Sequence, residues 1–173
     1  DRISILPVHA QDHPYLYRKG KAYLYEMADR VEKLQPKETT ALFSEEVQQM
    51  IQRKSSVAFV ITDLMEPMST IETTLKKIQA NRQQLFLIHL VDEEELEPTF
   101  TGDFLLTDSE SNQRVNVTVS DYTRKAYVTK MNSRVEYLKS FCFERGISYM
   151  LASTSEKVED ILFKRMTSQG WIR

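Results

Sequence analysis

Residues 55–63 read SSVAFVITD, an almost uninterrupted apolar run that stops on an acidic residue, Asp63, and passes at once into LMEPMST. A β-branched run without strict polar alternation reads as a parallel strand covered on both faces. Asp63 then stands at the carboxyl end of that strand. In open α/β sheets ligands bind along that edge, so the position marks a candidate site on chemistry alone.

The surrounding chain supports this reading. Residues 2–10, RISILPVHA, form a strand pattern in which Pro7 marks an irregularity or an edge, and DHPYLYR, 12–18, returns as a short second strand. From Lys21, Leu24, Met27, Ala28, Val31 and Leu34 recur at helical spacing before Pro36. A second helix opens near Thr40 and buries Leu42, Val47, Met50 and Ile51. Ser69 or Thr70 is positioned to cap a third, which carries Ile71, Leu75 and Ile78, with Glu72 close enough to help its first turn.

The next strand is QLFLIHLV, 84–91. After the acidic DEEELEP come two short β-rich runs, TGDFLLT and RVNVTV, around a polar turn, a hairpin insertion over about 98–120. Tyr127, Met131, Val135, Leu138 and Cys142 then line a long helix ending before Gly146, and ISYMLAST is the last strand. A terminal helix from about Glu156 buries Val158, Ile161, Leu162 and Met166. Strand and helix alternate through most of the chain, which predicts a mostly parallel α/β sheet with helices on both faces.

Composition narrows the function. The 173 residues suit one domain with a sizeable core. With 28% charged residues and a net charge of -2, the chain lacks a basic footprint for nucleic acid, and the cations of YRKGKAY are too isolated to make one. One cysteine excludes a disulfide framework and any multi-cysteine metal site. The four glycines are dispersed, which removes glycine-rich phosphate loops and with them kinases, P-loop NTPases and dinucleotide-binding dehydrogenases. No stretch is apolar for the roughly 18–20 residues of a membrane span. The chain reads as cytoplasmic, with membrane tethering by an upstream segment left open. A strand beginning immediately after Asp1 implies a piece of something longer.

DRISILPVHA, YRKGKAYLYEMADRVEKLQPKETTAL, VAFVITD, the hairpin and YVTKMNSRVEYLKSFCFERGISYMLASTSE occur in an order that resembles a known pattern. It is similar to the von Willebrand factor A-like part of a bacterial domain-of-unknown-function family whose genes commonly lie beside those of MoxR-type AAA+ ATPases. The resemblance covers essentially the whole chain. It implies a Rossmann-like von Willebrand A-like fold, with 1–173 as a single, N-terminally truncated domain.

In such domains three loops at the carboxyl edge assemble a divalent cation site, usually for magnesium. The resemblance places Asp63 on the third-loop aspartate and, through PKETTAL, Thr40 on the second-loop threonine, with Thr39 as the neighbouring choice; Ala41 stands where the family often has an aspartate. The D-x-S-x-S motif of the first loop is absent. Its strand, central in that fold, lies upstream of DRISILP, so little or no metal binding is expected of this chain, whatever the intact protein does. Two strand edges, at 2–10 and 55–62, would be left unpaired. Another chain fills the gap, those strands pair directly, or the sheet rearranges, and a homodimer through the open edges is among these outcomes.

Plainer roles stand beside the sharper ones. Asp63 reads equally as a loop or capping carboxylate and Thr40 as a helix N-cap. His9 and His13 are four apart but lie on no regular element that would orient a ligand pair. His89, inside an apolar strand, reads as a satisfied core histidine, Cys142 as an inert buried thiol, DEEELE as a solvated turn, and the aromatics at helical spacing, Tyr127 included, as core. No nucleophile with a partnered base can be assembled. The leading expectation is a non-catalytic protein–protein interaction module acting with a MoxR-type AAA+ ATPase in assembly or quality control. The alternatives are a magnesium-dependent hydrolase in which Asp92 to Glu95 converge on Asp63, and a metal-independent scaffold.

Overall fold

The structure, a computed structural model, describes residues 3–11, 15–18, 20–37, 41–51, 56–81, 84–107 and 114–172. In chain order the elements are β1 (Ile3–Ile5), β2 (Tyr15–Arg18), α1 (Lys21–Glu32), α2 (Phe43–Met50), β3 (Val57–Thr62), α3 (Met68–Ala80) and β4 (Gln84–Val91), then α4 (Glu93–Leu96), β5 (Gly102–Thr107), β6 (Arg114–Val119), α5 (Asp121–Glu144), β7 (Ser148–Ser153) and a C-terminal helix of π geometry, Asp160–Met166. The architecture is mixed α/β, as the alternation predicts. The elements group into two compact units, Asp1–Ser55 with Glu66–Arg82, and Ser56–Met65 with Gln83–Arg173.

The second unit is built on a three-stranded parallel sheet of order β3-β4-β7. Side chains alternate across it, so the register sorts them into two faces. One carries Leu85, Leu87, His89 and Val91 of β4 beside Tyr149 and Leu151 of β7. Helix α5 covers this face, burying Met131, Val135, Leu138, Phe141 and Cys142. The other face carries Phe86, Ile88 and Leu90 beside Met150 and Ala152, and the C-terminal segment covers it with Ile161, Met166, Trp171 and Ile172. The central strand β4 is therefore apolar on both sides, which is why its sequence does not alternate.

Helix α5 starts and stops where its sequence dictates. Ser120 and Thr123 close a reciprocal capping box at the N-terminus. At the other end Gly146 takes φ 65°, Ile147 N–H donates to Cys142 C=O and Gly146 N–H to Phe143 C=O, the paired bonds of a Schellman stop. The expected hairpin is present, with β5 and β6 antiparallel and Leu105 opposite Asn116.

The outer edge of β7 is closed by side chains. Thr154 N–H donates to Val91 C=O, so by alternation the backbone groups of Leu151 and Ser153 point away from β4. Arg165 donates to Leu151 C=O at 2.5 Å, Glu156 accepts from Ser153 N–H at 2.9 Å, and the two side chains join at 2.7 and 2.8 Å. This ion pair occupies the groups a further strand would need.

In the first unit β1 and β2 form an antiparallel pair. The strand expected over 2–10 ends at Ile5: Pro7 has no N–H for a ladder, and His9 turns the chain at φ 52°. Residues 9–11 then run beside 35–37, with Lys37 N–H donating to His9 C=O at 2.8 Å. Helices α2 and α3 pack together, and the Gln48 amide donates to the Thr74 hydroxyl at 2.8 Å. Leu42 offers no oxygen as N-cap of α2, and Glu66 supplies it instead, accepting from Ser44 N–H at 3.1 Å.

Several expectations are corrected here. Ser69 and Thr70 do not cap α3; Pro67 holds the N-cap position, the helix begins at Met68, and Glu72 pairs with Lys76 instead. The stripe on α1 buries only Met27, with Leu24 and Val31 exposed, and Tyr127 on α5 is exposed as well. The terminal helix leaves Val158, which precedes the π segment, and Leu162 exposed; at Leu162 π winding carries the side chain off the face that a 3.6-residue spacing assigns it. DEEELE, expected to be a turn, winds one helical turn, α4, on the cap of Asp92.

Arg165→Met removes the donor to Leu151 and strips Glu156 of its charge partner. It should lower the free energy of unfolding by about 1–3 kcal/mol, read from urea denaturation. An unchanged midpoint would mean that the clasp over the β7 edge contributes nothing.

Candidate functional site

The carboxyl edge of the parallel sheet is formed by the residues leaving β3, β4 and β7, and Asp63 stands there as its position in the sequence implies. The loop from Asp63 to Met65 is fixed from beneath. His89 lies one strand away on β4, directly beside Thr62, and is 1% exposed. Its Nε2 is 3.0 Å from the Asp63 carbonyl oxygen and its Nδ1 2.9 Å from the Tyr149 hydroxyl. A carbonyl can only accept, so Nε2 carries the proton and the Tyr149 hydroxyl donates to Nδ1. Both nitrogens of the neutral ring are satisfied.

Arg134 reaches from α5 and donates to the Leu64 carbonyl. Leu64 itself is buried and takes φ 54°, a left-handed conformation uncommon for a leucine. Its N–H is held by the Thr62 hydroxyl at 3.2 Å, and Met65 N–H donates to the Asp63 carboxylate at 3.3 Å. The buried Leu64 side chain and the His89 and Arg134 bonds together hold a backbone turn that is costly alone. The turn leaves Asp63 and Met65 exposed to solvent.

Asp63 is a loop carboxylate, and its Oδ1 accepts the Met65 backbone N–H. Thr40 and Thr39 lie outside the described residues. Asp92, proposed to converge on Asp63, is committed elsewhere: Oδ1 accepts from Glu94 N–H at 2.9 Å and Oδ2 from the Thr154 hydroxyl at 2.8 Å. These bonds hold its carboxyl below the usual range and tie the exit of β4 to that of β7. Among the described residues no three or more His, Cys, Asp or Glu gather as a metal site. One carboxylate does not supply the oxygen shell that magnesium requires, so the described residues do not fit the cation.

The remaining candidates take structural places. Cys142 is fully buried and burial pushes its thiol up to about 12, far from a nucleophile's range. The His9 and Phe43 rings meet edge to face while the His9 backbone N–H donates to Glu46; His13 lies outside the described residues. Arg134, Tyr149 and Met65 were missed by the sequence reading. Arg134 could have been noticed as a cation beside Met131 and Val135 on the apolar stripe. Tyr149 could have been noticed as a hydroxyl at a strand position facing the helix.

The fold and this edge define an α/β protein with a braced loop at the carboxyl end of its sheet. A family model described as "Protein of unknown function DUF58" matches residues 1–137, and the chain belongs to that family. Comparison with curated proteins and with solved structures finds no match. No helix among the described residues is long and apolar enough to cross a membrane.

Burial lowers the pKa of His89 from its ordinary 6.5, and the Arg134 charge pushes the same way against the raising effects of the Asp63 carbonyl and carboxylate. The folded pKa is depressed, so the unfolded chain binds the proton first as pH falls. The contribution of His89 is complete above about 6.5 and is lost as pH drops from there toward the folded value. Wild type should therefore lose stability between neutral pH and pH 5.5 by more than His89→Gln does. His89→Ala, which leaves the Asp63 carbonyl and the Tyr149 hydroxyl unpaired, should cost about 2–4 kcal/mol in denaturant unfolding at neutral pH. Parallel pH profiles for wild type and His89→Gln would refute the assignment.

Proposed function

We propose that the chain is a non-catalytic protein–protein interaction module of von Willebrand A-like architecture, working in the cytoplasm with a MoxR-type AAA+ ATPase. The observation that carries this reading is the braced 63–65 turn, which presents a carboxylate and a thioether side chain at the carboxyl edge of the sheet. A preformed turn loses little freedom on binding, and methionine adapts its shape to an apolar partner surface. The engagement of Asp92 by Glu94 and Thr154 favours this reading over the hydrolase, which needs that carboxylate at the metal. The ATPase and the architecture follow from the family resemblance. Any magnesium requirement belongs to the intact protein, where further oxygen ligands would have to join Asp63.

Two measurements test the proposal. Pull-downs of the full-length protein against a MoxR-type ATPase, with and without magnesium, should retain the ATPase, and Met65→Ala should weaken retention about tenfold, the loss of roughly 1.4 kcal/mol. Failure to associate in either condition would contradict the partner. Calorimetric titration of magnesium into this chain should give no saturable heat; a heat abolished by Asp63→Ala would place a working cation site here.

A further inference from the structure

The chain has seven methionines, and the fold sets one of them apart. Met27, Met131, Met150 and Met166 are buried, and Met50 and Met68 are half-buried on α2 and α3. Met65 is 63% exposed. Its backbone is nevertheless anchored. Leu64 buries its side chain at φ 54°, His89 and Arg134 hold the carbonyls of Asp63 and Leu64, and the Asp63 carboxylate accepts the Met65 N–H. The bonds that hold the turn are made by its backbone and by Asp63, so the Met65 side chain can change chemically without removing any of them.

A thioether sulfur is a two-electron reductant, and it reacts where an oxidant can reach it. We propose that Met65 is a modification site for peroxides, at which formation of the sulfoxide alters the partner-facing surface of the turn and leaves the fold intact. The sulfur lone pair attacks one peroxide oxygen, an S–O bond forms as the O–O bond breaks, and the departing oxygen leaves as water after proton transfer. Sulfur is oxidised by two electrons and the peroxide is reduced by the same two. The step reverses when a methionine sulfoxide reductase uses two thiols, which end as a disulfide and release the oxygen as water.

This deepens the interaction-module reading, and the functional consequence rests on it. The thioether is the exposed apolar group of the turn, and its sulfoxide is polar and chiral. Oxidation therefore adds a hydrogen-bond acceptor to a turn that already presents the Asp63 carboxylate, in place of the group that adapts to an apolar partner surface. The buried methionines are shielded from the same chemistry by the cores around them, so mild oxidation acts on the surface of the turn before it acts on the fold.

Hydrogen peroxide titrated into the full-length protein, followed by peptide mapping in the mass spectrometer, tests the site. Met65 should gain one oxygen at least about tenfold faster than Met131 or Met150, with the circular dichroism unchanged when Met65 alone is oxidised. Equal rates, a Met65 that stays reduced in the intact protein, or a loss of circular dichroism that tracks Met65 oxidation overturns the proposal. Once the peroxide has been removed with catalase, pull-downs should retain about tenfold less of the MoxR-type ATPase, and treatment with a methionine sulfoxide reductase and dithiothreitol should restore it. Met65→Leu, which keeps the volume and lacks the sulfur, should retain the same amount before and after peroxide, whatever that amount is. Retention unchanged with Met65 fully oxidised, or lost equally in Met65→Leu, overturns the switch. Failure of the untreated protein to retain the ATPase contradicts the partner alone, and the mapped rates and the circular dichroism still decide the site.

Discussion

The burial of β4 on both faces is the constraint on which the second unit depends. Leu85 and Leu87 are almost wholly inaccessible on the side of α5, and Phe86 and Ile88 are buried on the side of the C-terminal segment. Each such side chain stabilises the fold by about 1.5–3 kcal/mol relative to exposure. Because β4 joins its neighbours through parallel ladders on both sides, it also sets where β3 and β7 end. The loops leaving β3, β4 and β7 consequently emerge along one edge, and the bond between Asp92 and Thr154 ties two of them together.

A polar residue in this apolar setting makes the edge more than a boundary. His89 could have been another aliphatic side chain; instead its ring spans from the Tyr149 hydroxyl to the Asp63 carbonyl. A buried polar group is stabilising only when both ends find partners, and here the partners belong to β7 and to the loop leaving β3. Core packing is thereby converted into the position of an exposed loop. Arg134 extends the same coupling to α5, so the conformation of Leu64 reports on the sheet and the helix together.

Much of this was legible in the sequence where periodicity was backed by burial. The apolar run at 84–91, the stripe Met131, Val135, Leu138 and Cys142, and the Gly146 stop all appear where spacing and capping chemistry place them. The run at 55–63 was read as covered on both faces, yet Val57, Phe59 and Ile61 are exposed, because composition records what a strand can bury and not whether a neighbour is there. Pattern failed at Leu162 because π winding changes the angular step, and at Leu24 and Val31 because a helical stripe does not name its partner. Asp63 was found as a candidate from its place at a strand exit. The residues that brace it lie 26 to 71 positions further along the chain, and their convergence exists only in the folded register.

Residue-resolved amide hydrogen exchange on the dilute chain tests the central claim, that β4 is sealed on both sides while β3 is paired on one side among the described residues. The amides of residues 85–91 should exchange most slowly, near the rate set by global unfolding. Along β3, Ala58, Val60 and Thr62 should be protected, while Val57, Phe59 and Ile61 exchange orders of magnitude faster. Uniform protection along β3 at every dilution would contradict the account, because it would mean that a further element of the same chain already fills that edge.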